Sequence, residues 1–106
     1  MSNPFNKFSL KTKKIKVPAL DNAEVEIQEF TVAKSAEYYK RLFSLQNVDG
    51  DMKLNPEELF KVKIEKIAEC MINPKMTVEE LDKLGASANE AIGFISDEID
   101  KLSTGN

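Results

Sequence analysis

The sequence predicts a mainly helical α+β fold, with an N-terminal β-hairpin followed by about four helices in a small compact bundle. Three observations predict it. Near the N-terminus, apolar residues alternate with polar ones on both sides of a turn, at Ile15, Val17, Val25 and Ile27. Helix-start signals then recur at Thr31, Asn55-Pro56, Thr77 and Ser87. The last of them opens a stripe, Ala88, Ile92, Ile95, Ile99 and Leu102, at spacings of four and three.

Residues 1–12 show no period and read as a flexible arm, with Phe5, Phe8 and Leu10 available for packing. The hairpin spans 13–30. Its link, Leu20-Asp21-Asn22-Ala23, is built of residues that tolerate a tight turn. Pro18 has no N–H for a ladder, so its strand belongs on a sheet edge. A two-stranded ribbon is marginal alone and must lie on something. A helix over 31–46 is capped by Thr31 and carries Ala36, Tyr39, Leu42, Phe43 and Gln46 as its apolar row. Asn55 caps a second helix over 56–72, with Pro56 in its first turn and Glu57 and Glu58 on the positive end of its dipole. The stripe of that helix is Phe60, Ile64, Ile67, Ala68 and Met71, and Asn73-Pro74 stops it. Thr77 to Glu80 is a capping box opening a short helix over 77–84, which Gly85 ends. Ser87 to Glu90 is a second box, opening the last helix over 88–103.

The 106 residues form one domain, 42% hydrophobic and 31% charged, enough apolar material for a core. A chain this short buries only roughly 60–65% of its unfolded surface, so its stability is modest. With no His and a single Cys70, it offers no His-based acid/base pair, no Cys-His nucleophile and no His/Cys zinc site. No enzyme is expected. No apolar run approaches a membrane span, and a reducing, cytoplasmic setting suits a lone cysteine. Residues 1–20 carry five lysines and no acid, whereas 21–106 carry ten basic and eighteen acidic side chains. Such a basic segment can grip phosphate or an acidic partner. With no Arg or aromatic residue among Lys11 to Lys16, nucleic acid is not the expected partner.

Few residues suggest chemistry. The stretch from Asn47 to Glu58 resembles the twelve-residue calcium loop of an EF-hand and lies between two amphipathic helices. Its ligand positions are Asn47, Asp49, Asp51, the Lys53 carbonyl and Glu58. Asn in place of the first Asp, and Met52 where the turn asks for glycine, favour a polar interhelical turn instead. The expectation is therefore no metal, with calcium as the alternative. Cys70 reads as a packing residue, and Met52, Met71 and Met76 as gap-fillers around the second helix.

The order of elements carries a wider likeness. Lys14 to Ile27 followed by Glu29-Phe30-Thr31-Val32 resembles the opening of bacteriophage tail assembly chaperones, a short β segment with a central turn running into a Thr-Val helix start. Ile67 to Pro74, Thr77 to Leu84 and Ala91 to Ser103 resemble that family's later helices. The likeness covers roughly 14–34 and 59–103. It implies a non-enzymatic holding role in the host cytoplasm, outside the mature virion. The implied partners are the tape measure protein of a siphophage-like tail and the tail tube subunits that polymerise around it. The stripes of the second and last helices compete for one small core, which leaves apolar surface for a partner or for self-association. Phe94, with Ala91 beside it, is the expected outward anchor, and Ile95 the expected core residue.

Overall fold

The computed structural model describes residues 3–5, 9–46 and 56–104, excluding the side chains of 42–46 and 56. Strands β1 (Thr12–Val17) and β2 (Ala23–Gln28) pair antiparallel, from Thr12 opposite Gln28 to Val17 opposite Ala23. The link starts as a 3-10 turn, Pro18–Leu20, and ends with Asp21 and Asn22 in the left-handed region, at φ 56° and 62°. Short polar side chains pay least for that conformation, which is why turn chemistry could be read here. The Asp21 and Asn22 N–H groups donate back to the Pro18 and Val17 carbonyls at 3.1 and 3.0 Å. Ile15, Val17, Val25 and Ile27 all point to one buried face.

The ribbon is completed by a third strand that the periodicity misses. Strand β3 (Met71–Asn73) pairs antiparallel with β2, Met71 opposite Ile27 and Asn73 opposite Glu26, with a bulge between. The order is β1-β2-β3, which puts β1 on an edge and Pro18 in the turn just beyond it. The second helix, α2 (Pro56–Cys70), accordingly stops before Met71 rather than running to 72. Pro74 bars a helical conformation at Asn73, and Met71 fills the core from a strand instead.

Two helices cover the inner face of the sheet. Ile64, Ile67 and Cys70 of α2 meet Ile92, Ile95 and Ile99 of α4 (Asn89–Ser103) over the hairpin's four apolar residues. The architecture is a mixed α+β arrangement: among the described residues, four helices with a small three-stranded antiparallel sheet in which the expected hairpin supplies two strands. Both stripes that compete for the core are inside it. Helix α3 (Val78–Asp82) is shorter than the 77–84 expected, yet its capping box forms as read. The Thr77 hydroxyl accepts the Glu80 N–H at 3.1 Å and the Glu80 carboxylate accepts the Thr77 N–H at 3.0 Å. The second box does not form. A 3-10 turn, Ala86–Ala88, runs straight into α4, so Ser87 already lies in a helical turn and Ala88 makes no side-chain cap.

Helix α1 (Val32–Gln46) is capped by Thr31, whose hydroxyl accepts the Lys34 N–H at 3.1 Å. Its buried edge differs from the row the sequence draws. Tyr38 is buried, its ring 5.1 Å from that of Phe30, while Ala36 and Tyr39 face outward. The side chains of Leu42, Phe43 and Gln46 lie outside the described set. Arg41 steers the helix, pairing with Glu65 and Glu58 of α2. These partners place a polar edge of α1 against α2.

Candidate functional site

Between α1, α2 and the end of α4 lies a cleft of about 300 Å³. Tyr38 and Tyr39 line it from α1, Val62 and Lys66 from α2, and Asp100 from the end of α4, with Phe30 between. That size is at the low end for small-molecule pockets and suits one or two inserted side chains. The Ser103 hydroxyl closes one end by accepting the Phe30 N–H at 2.9 Å, which ties α4 to the link between β2 and α1.

The floor of the cleft carries a buried cation. The Lys66 side chain is only 9% exposed, and its ammonium donates to Ser96 Oγ at 3.1 Å and meets Asp100 Oδ1 at 2.8 Å. It also lies 5.7 Å from the centre of the Phe30 ring, within cation–π range. Sequence reading passed over Lys66. The signal was its position four residues from both Val62 and Cys70, in a row that is otherwise apolar and buried. Asp100 is 48% exposed and brings the neutralising charge from the rim. The cleft therefore presents an aromatic and aliphatic surface with its one buried charge already satisfied.

The other sequence-selected residues are scattered. Ala91 is 5% exposed and belongs to the core, because α4 turns that side onto the sheet and α2. Phe94 is half-buried and packs against the same core, so it is not a free-standing anchor. Asn47, Asp49, Asp51 and Lys53 lie outside the described residues. Glu58 lies in the first turn of α2 and pairs with Lys61 at 3.5 Å and Arg41 at 3.9 Å. Among the described residues no cluster of acids or cysteine is arranged to hold a metal, and no helix is long and apolar enough to cross a membrane. Met71 is buried and Met76 packs on the core.

Cys70 and Tyr38 are buried without a reactive setting. Burial, helped by the Glu69 carboxylate, pushes the Cys70 thiol up to about 11. Burial also raises the Tyr38 phenol, with Cys70 and Glu69 adding to it. Both groups are protonated and neutral at pH 7. A group whose folded-state value is raised loses its contribution to stability as the pH climbs from the unfolded value to the folded one. Stability should fall by about 2 kcal/mol between roughly pH 9 and 11 through Cys70 alone. Cys70→Ala should flatten that part of a pH–stability curve measured by urea melts. An unchanged slope would mean the thiol is not shielded in the folded state.

Comparison with protein-family models, with curated proteins and with solved structures gives no match to this chain.

Proposed function

We propose that this chain is a bacteriophage tail assembly chaperone, a non-enzymatic protein that binds the tape measure protein in the host cytoplasm and keeps it soluble until tube subunits enclose it. The reading starts from the order of β segment, Thr-Val helix start, Asn-Pro stop, capped short helix and closing helix. The structural observation that carries it furthest is the outward apolar row of α1. Val32 is 90% exposed and Tyr39 62%, with Ala36 between them in the same helical row. A helix that buries one edge through Tyr38 and turns a second apolar edge to solvent offers a seat for an amphipathic partner helix. The adjoining cleft gives that partner a place to insert a large apolar side chain. A tape measure protein is long, helical and poorly soluble alone, so a holder of this shape answers its need.

Co-expression with the product of the neighbouring long coiled-coil gene tests the proposal. The wild-type chain should keep that product soluble. Val32→Ser combined with Tyr39→Ser should leave the chain's own melting nearly unchanged, because both side chains are exposed. The same variant should send most of the partner to the pellet. A partner equally soluble with and without this chain would remove the reading.

A further inference from the structure

The geometry points to β1 as a docking edge for an extended acidic segment of a partner protein, added to the sheet as a fourth strand. Three observations meet there. First, the outer edge of β1 is unpaired among the described residues and is six residues long, whereas β3 at the other edge has three, a bulge beside it and Pro74 after it. Second, the hydrogen-bonding phase of the hairpin is fixed. The Glu29 N–H donates to the Lys11 carbonyl at 3.0 Å, so Lys11, Lys13, Ile15 and Val17 bond to β2. Thr12, Lys14 and Lys16 alternate with them and turn their N–H and C=O groups outward, in phase for another strand.

Third, the charges choose the occupant. Lys13 points to the inner face, where it meets Glu98 of α4 at 3.7 Å. Lys14 and Lys16 stand on the open face, opposite Glu26 and Glu24 of β2. That face thus runs as a basic row beside an acidic row, and the next row that continues the alternation is acidic. A second copy pairing through β1 would bring lysine rows together, which opposes self-association by this edge. Backbone bonds give such a site its affinity, and the charge row gives its register.

The edge operates apart from the α1 surface, so Val32→Ser with Tyr39→Ser should leave it intact. The probe is a capped synthetic peptide with Glu at alternate positions and Val or Thr between, added to the full isotope-labelled chain. Amide exchange at Thr12, Lys14 and Lys16 should slow at least about tenfold, while Lys13 and Ile15, already bonded to β2, should change little. Lys14→Thr with Lys16→Thr, which keeps strand-forming residues opposite Glu26 and Glu24, should weaken binding about tenfold with the circular dichroism spectrum retained. N-methylation of the edge-facing peptide amides should abolish it.

Binding that survives N-methylation would overturn the proposal in favour of a plain charge patch. Perturbations mapping to the α1 cleft would overturn it as well. So would tighter protection of the same amides by single-stranded DNA, or prior protection in the concentrated free protein, which would mark the edge as a nucleic-acid or self-pairing surface.

Discussion

Ile95→Asp should leave the chain without a cooperative unfolding transition at 25 °C. Ile95 is 5% exposed and lies between Ile92 and Ile99 where α4 faces α2 and the sheet. A carboxylate there would replace an aliphatic side chain packed within an apolar cluster, and burying it costs several kcal/mol. A domain of this size has about 5–10 kcal/mol in total, so the substitution consumes most of its stability. Phe94→Ala, one residue away, provides the comparison. Its ring is half-buried against the core, so truncation should cost about 1–3 kcal/mol and still leave a folded chain. Urea melts by circular dichroism and size-exclusion profiles of both variants check the pair. If Phe94→Ala proved neutral, its ring would be a surface anchor, as its place beside the stripe first suggests. If Ile95→Asp melted normally, α4 would be seated on the sheet by a different face.

What was legible in the sequence was what local chemistry decides. Asp21-Asn22 announces a left-handed turn, and Thr77 with Glu80 announces a capping box, because each rests on bonds within four residues. The rows Ile92–Ile95–Ile99 and Ile64–Ile67 were legible because one continuous apolar face admits one burial. What escaped was what distant partners decide. Met71–Asn73 has no period of its own and becomes a strand through pairing with Glu26 and Ile27, some 45 residues earlier. The burial of Tyr38 escaped because it rests on packing against the Phe30 ring, which lies outside the helix and its period. Ser87 met the local rule for a cap, and the Ala86–Ala88 turn overrode it. The candidate site inherits this division. The sequence pointed to Phe94 and Ala91, whereas the open apolar surface lies on α1, along the row through Ala36 and Tyr39.

The buried cation beneath the cleft gives the second large effect, and its sign depends on which partner is removed. Asp100→Ala strips the carboxylate from an ammonium that is 91% buried by side chain, leaving it Ser96 Oγ and the face of Phe30. Fully interior pairs broken in this way lose about 3–5 kcal/mol. Asp100 itself is half-exposed and the cleft is open, so water can replace part of the interaction, and a loss of about 2 kcal/mol is expected. Lys66→Met has the opposite logic. It keeps the stem that packs beside Val62 and Cys70, removes the cost of desolvating the ammonium, and frees Asp100 to turn into solvent. Its stability should stay within about 1 kcal/mol of wild type. In the Lys66→Met background, Asp100→Ala should then cost almost nothing, which a double-mutant cycle by urea melts measures directly. Should Asp100→Ala cost the same in both backgrounds, the aspartate would be stabilising the end of α4 by itself, and the pair across the cleft would contribute nothing.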